Sequence, residues 1–200
     1  MNERAIKLLD YLGLDETTEV KESKYDDNTF IVENEEYMVL TDEEADDAHY
    51  NYIENFIDDC GIGGFTPYGQ EYIIENCMDK SWFDDAMQES YESYVDDIRH
   101  ESAMNDEFEN RLEEEMSEAD CEDEDSFVEY LCSMYEDGVE WYRHNFGDKD
   151  FFDVAKERCS VDIQAVSEFC IREDGRGHSL SHYDGRELEL EDDYYAYRIG

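Results

Sequence analysis

Proline is nearly missing from this 200-residue chain, Pro67 being the only one. With no Ser/Gly/Pro-rich stretch either, the composition argues against a disordered chain. Lysine is scarce, with six residues in all. Phosphate recognition needs Lys and Arg, so direct binding of nucleic acid or of an anionic membrane surface is excluded as well. No apolar run approaches the ~20 residues of a membrane helix. The motifs GxSxG and HExxH and the phosphate loop are absent. Gly61-Ile62-Gly63-Gly64 follows a helix pattern rather than joining strand to helix, and its acidic neighbours would repel a phosphate. No catalytic residue is assigned, and the chain is expected not to be an enzyme and to hold no cofactor.

Metal patterns are weak. Neither 120–125 nor 184–193 has the alternating carboxylates, central Gly and twelfth-position Glu of a calcium loop. Cys159, Cys170, His178 and His182 occur in a zinc-like order, but the cysteines are too far apart for a knuckle and flank a helix pattern. The six cysteines are widely spaced with no CxxC pair. The opening MNERAIKLLDYLG has no secretory pattern, so reduced thiols in a host cytoplasm are expected, several of them buried in helices.

What the chain has in excess is negative charge. Fifty-nine Asp and Glu face fifteen Lys and Arg, for a net charge of −44. Charge of that density usually prevents collapse. Aromatics argue otherwise, since 16 Tyr, 10 Phe and 2 Trp bring them to 14% of the chain. The composition describes a real core under an abnormal surface, and that surface costs stability through self-repulsion. Partners that fit it are cationic.

Periodicity predicts a mostly helical α+β fold. A short amphipathic helix is expected over 3–13, with Ile6, Leu8, Leu9 and Leu12 apolar. A hairpin is expected over 28–40, turning at Asn34-Glu35-Glu36. Thr41 and Glu44 form a capping box that opens a helix to about Asp59, with Ala45, His49, Tyr52, Ile53, Phe56 and Ile57 on one face. Further helices are predicted over 68–78, 81–101 and 105–118. The run 113–125, EEEMSEADCEDED, reads as a frayed helix end or a loop. From Ser126 one helix is expected up to a break at Gly147, with Phe127, Val128, Leu131, Met134, Tyr135 and Val139 inward. Helices over 148–158 and 161–171 follow. The last thirty residues read as sheet, with a turn at Tyr183-Asp184-Gly185-Arg186 between two extended runs. The small antiparallel sheet is expected to pair the N-terminal hairpin with the C-terminal strands in a single acidic domain over 1–200, the alternative being a subdivision into 1–104 and 105–200.

Like charges at i, i+3 and i+4 repel by a few tenths of a kcal/mol per pair, so their abundance on helices asks for a use. Duplex DNA carries one charge per ~1.7 Å of axis, so a net charge of this size equals that of roughly 75 Å of duplex. Carboxylates on helices can stand in for phosphates in a groove lined with Arg and Lys. The candidate contact residues are Asp42, Glu43, Asp46, Asp47, Glu54 and Asp58 on the first long helix. Asp84, Asp85, Glu89, Glu92, Asp96 and Asp97 are the candidates on the second. Glu113, Glu114, Glu118, Asp120, Glu122, Asp123, Glu124 and Asp125 come from the most acidic run. Tyr50, Tyr52, Tyr68, Tyr72, Tyr91, Tyr94, Tyr130, Tyr135 and Tyr142 interleave with the acids, and exposed ones can stack on arginine.

Two segments carry a resemblance. Tyr37-Met-Val-Leu-Thr-Asp-Glu-Glu-Ala-Asp46 resembles the strand-then-helix opening of small uncharacterised proteins encoded by phages and plasmids. Arg176-Gly-His-Ser-Leu-Ser-His-Tyr-Asp-Gly185 with Tyr194-Tyr-Ala-Tyr-Arg198 resembles their C-terminal tail. The resemblance implies a mobile-element origin and transfers no activity. In that tail glycines would serve tight turns, and His178 and Tyr183 would pack at the sheet edge. By composition alone the chain is similar to DNA-mimicking antirestriction and anti-CRISPR proteins, whose motifs it does not match. The expected partner is therefore a basic nucleic-acid-binding host protein, such as a restriction or CRISPR effector. A halophilic acidic protein, an acidic chaperone or assembly factor and a metal-dependent enzyme are the alternatives.

Overall fold

The structure is a computed structural model that describes residues 2–15, 17–24, 26–104 and 110–200. In chain order its elements are α1 (Glu3–Leu12), β1 (Val20–Glu22), β2 (Thr29–Val32), β3 (Glu35–Thr41), α2 (Asp42–Cys60) and a 3-10 turn (Ile62–Gly64). Next come α3 (Pro67–Asn76), β4 (Met78–Asp79), α4 (Ser81–Met104), α5 (Arg111–Glu118), α6 (Glu124–Cys132), α7 (Gly138–Phe146), α8 (Asp148–Arg158) and β5 (Ser160–Val161). The chain ends with α9 (Ile163–Asp174), α10 (Gly177–Leu180), β6 (Glu187–Glu189) and β7 (Tyr194–Arg198). The fold is α+β as expected, and its contacts separate into two units, Met1–Thr66 with Asp162–Gly200, and Pro67–Val161. The position 104/105 lies inside the second unit.

The first unit is built on an antiparallel sheet of order β1-β2-β3-β7-β6. It joins the N-terminal hairpin to the C-terminal strands, with Val39 opposite Ala196 and Thr41 opposite Tyr194. Strand periodicity of two divides the side chains between its faces. Phe30, Val32, Tyr37, Val39 and Ala196 face one way and are covered by Ala5, Leu8 and Leu9 of α1. Leu40 and Tyr197 face the other and pack with Ala45 of α2 and Leu180 of α10. Asn2 caps the start of α1, and Gly13, at φ 69°, closes it with bonds to Asp10 and Leu9. The β2–β3 turn is the pair Glu33-Asn34, both at positive φ, as a two-residue hairpin requires. The turn thus lies one residue earlier than expected, and Glu35 and Glu36 are already in the strand.

The second unit is helical, with α4 packed against α5, α6 and α7. Pro67 sits at the first position of α3, where its missing N–H costs nothing. Phe83 is fully buried and stacks edge-on with Trp82 and Tyr142 and close to Phe151. Gly138 makes the α4–α7 approach possible, since a Cβ there would lie 2.2 Å from the Phe83 carbonyl. Its N–H donates to Asp84 at 2.7 Å.

Several expectations are corrected. The single helix from Ser126 to Gly147 is two, α6 and α7, because Asp137 caps a new start by accepting the Glu140 N–H. Met134, placed inward by periodicity, is 61% exposed in the connection. Within 113–125, residues up to Glu118 are helical, and Asp123 then opens α6 with a reciprocal cap to Ser126, so the run is a helix, a turn and a helix start. The predicted helix over 105–118 is seen from Arg111, and 105–109 lie outside the described residues. The tail segment before Tyr183 contains the short helix α10 rather than an extended run, and His178 is exposed rather than packed. Tyr183 does find a partner, with the Arg198 guanidinium 3.7 Å from its ring. Of the six cysteines only Cys77 is buried. Tyr52, expected on the inner face of α2, is 42% exposed.

Candidate nucleic-acid-mimicking surface

Of the twenty candidate carboxylates, all but Glu124 are exposed. They differ in what holds them. On α2, at 100° per residue, Glu43, Asp47, Glu54 and Asp58 share one outward row opposite the buried Ala45, His49 and Ile53. Asp42 and Asp46 stand to one side, and the fold claims both. Arg176 Nη1 reaches each at 2.8 Å, while its Nε donates to Glu187 at 2.8 Å. Burial disfavours the charge on Arg176, but the bonds to Glu187 and Asp42 more than offset this and raise its pKa. Tyr197 donates its hydroxyl to the same Glu187 at 2.6 Å. Its pKa is raised by burial first and by that bond second. One turn further along α2, His49 Nδ1 lies 2.5 Å from Ser179 Oγ, whose own hydrogen goes to the Arg176 carbonyl. With the Ser179 hydrogen committed, Nδ1 is the donor in this contact, and burial holds the ring's pKa below the ordinary value. Segments 37–46 and 176–185 thus meet in space, with Asp42 and Asp46 on one side and Arg176 on the other.

In the second unit the row Asp85, Glu89, Glu92 and Asp96 runs along the solvent face of α4, at spacings of four, three and four. At 1.5 Å rise per residue it extends about 16 Å, one carboxylate per about 5.5 Å. Arg99 closes the row. It donates to Asp96 at 2.6 Å and forks onto Glu124, which explains why Glu124 is the half-buried member of the set. Asp97 lies off the row. Asp84 is spent on Gly138 and Asp123 on capping α6, where the Ser126 N–H holds its carboxyl below the ordinary range. Glu113, Glu114, Glu118, Asp120, Glu122 and Asp125 are exposed around α5 and the following turn.

Sequence reasoning missed the residues that organise these acids. Arg99 and Arg111 lie at helical spacing from Asp96 and Glu115, a legible signal. Arg176 is separated from Asp42 by 134 residues, and nothing local announces it.

Among the described residues no group of three or more His, Cys, Asp or Glu side chains could hold a metal ion. Cys159 belongs to the second unit, whereas Cys170, His178 and His182 belong to the first. Among the same residues no helix is long and apolar enough to cross a membrane. Comparison of the chain with protein-family profiles, with curated proteins and with solved structures finds no significant match in any of the three.

Proposed function

We propose that this protein is a non-enzymatic inhibitor that occupies the basic nucleic-acid groove of a host defence protein, such as a restriction or CRISPR effector. It places carboxylates where phosphates would lie. Support comes first from the Asp85–Glu89–Glu92–Asp96 row. Its one carboxylate per about 5.5 Å of helix axis is a regular linear array, about 1.6 times sparser than the ~3.4 Å of axis per charge on one DNA strand. Each neighbouring pair in it repels, and among the described residues the ion pair made by the row is that of Asp96 with Arg99 at one end. A surface meant only to be wet would mix the signs. The resemblance of 37–46 and 176–185 to phage and plasmid proteins supports a mobile-element origin, and with it a target in the host cytoplasm.

The test is a pull-down from host lysate over a salt series, with duplex DNA and guide RNA as competitors. Capture of a basic nucleic-acid-binding protein is expected at ~0.1 M salt, with release well before ~1 M, where the Debye length is ~3 Å. Binding unchanged at ~1 M, or capture of a partner with no basic groove, overturns the reading. A halophilic protein would instead need molar salt to fold, which circular dichroism in dilute buffer decides.

A further inference from the structure

Beside the acids of the second unit lies an open groove of about 500 Å³ whose lining includes Tyr91 and Tyr94 of α4, Leu131 of α6, and Trp141 and Phe146 of α7. Trp141 is buried, with its ring 6.4 Å from Tyr91 and 5.8 Å from Phe146. Phe146 is 52% exposed and Tyr94 37%. The exposed ring faces of Tyr94 and Phe146, beside Ser90 and Asn145, leave a stacking surface open between α4 and α7.

We infer that this groove receives an arginine side chain of the basic partner, stacked on its rings. The inference rests on the function proposed above and specifies which cation that surface prefers. Charge complementarity selects a cation. The Tyr94 hydroxyl donates to Glu115 at 2.9 Å, a carboxylate already paired with Arg111, while exposed Asp97, one turn along α4 from Tyr94, has no ion pair among the described residues and supplies the negative charge. Arg111, the nearest internal cation, is already held by Glu101 and Glu115. Stacking selects arginine over lysine. A guanidinium is planar and weakly hydrated and lies flat on a ring, whereas an ammonium keeps its water. The protein uses the same chemistry internally, with Arg143 4.1 Å from the centre of the Phe151 ring and Arg176 4.5 Å from that of Tyr195.

The experiment compares two peptides of equal length and charge, one arginine-rich and one lysine-rich, by calorimetry at low and moderate salt. The arginine peptide is expected to bind about tenfold tighter, with the preference surviving salt that weakens both. Phe146→Leu and Tyr94→Leu keep apolar bulk but remove the ring faces, and each should bring the arginine peptide close to the lysine value. Circular dichroism confirms that each variant is folded. Neutralising the row with D85N/E89Q/E92Q/D96N should weaken both peptides alike. Equal affinity of the two peptides, or an arginine preference that survives in both folded leucine variants, overturns the groove assignment and leaves the anionic-surface reading standing. Binding of neither peptide at low salt overturns both.

Discussion

Arg176 and Asp42 lie 134 residues apart in the chain and 2.8 Å apart in space. The same guanidinium also holds Asp46 and Glu187, so three carboxylates that would repel one another are gathered around one side chain that is 9% exposed. In a protein of this charge such a cation sets where acids can converge and where they must stay apart.

Removing it should be costly. Arg176→Met is expected to destabilise the first unit by about 1–2 kcal/mol, since half-buried Glu187 loses its cation while Asp42 and Asp46, more than half exposed, are screened by water. Arg176→Lys should recover only part of this, because an ammonium cannot fork onto Glu187 while reaching Asp42 and Asp46. Urea unfolding of the three proteins checks the order.

Neutralising the α4 row should move stability and binding in opposite directions. D85N/E89Q/E92Q/D96N removes three repulsive helical pairs and is expected to gain roughly 1 kcal/mol at low salt, most of it vanishing at ~0.5 M. The same variant should lose affinity for the captured partner. Thermal melts at two salt concentrations, beside the pull-down, test both halves. A variant that is neither stabilised nor weakened would make the row an ordinary wet surface.

Acid should weaken the α1–α2 junction in a defined window. Hydrogen bonds from Arg4, at 2.6 Å and 2.8 Å, together with the Thr41 N–H bring Glu44 from 4.5 to about 2. Its folded pKa is depressed, so its contribution is complete above about 4.5 and is lost as pH falls from there toward 2. Solvent screens the pair, because the Glu44 side chain is 39% exposed, and the loss is expected to be about 1 kcal/mol. Glu44→Gln should show a correspondingly flatter decline when unfolding free energy is followed from pH 5 to 2.

Gly138→Ala should destabilise the second unit by about 2–3 kcal/mol, since its Cβ would overlap the backbone of Phe83 and force α7 away from α4. The loss should appear in the near-ultraviolet signal of the aromatic cluster before helix content changes.

Local chemistry made much of this structure readable. The Thr41 and Glu44 capping box marks the start of α2, the alternation of β3 sets its two faces, and the apolar stripe of α4 shows its inner side. Where signals overlapped, reading failed. Met134 and Tyr135 keep helical phase with Leu131, so the apolar pattern runs through 133–137, although α6 stops at Cys132 and the Asp137 cap opens a new helix. β1 is three residues, Val-Lys-Glu, too short and polar for a period of two to register. The pairing of β4 with β5 joins Met78 to Val161 across the length of the second unit, which no window of the sequence spans. The acids were legible as a set but not in their division of labour, because Asp42, Asp46, Asp84 and Glu124 are held by partners that only the fold brings near, while the local Asp123–Ser126 cap was hidden inside an acidic run.

The sheet order carries a consequence for the newborn chain. β3 leaves the ribosome long before β7, its neighbour in the sheet, and all of Pro67–Val161 is synthesised between them. At ~5–20 residues per second, that edge of β3 waits many seconds without its mate, while the helical body has time to form. Dense like charge has a protective use in that interval, since nascent chains that repel one another are slow to aggregate through an open strand.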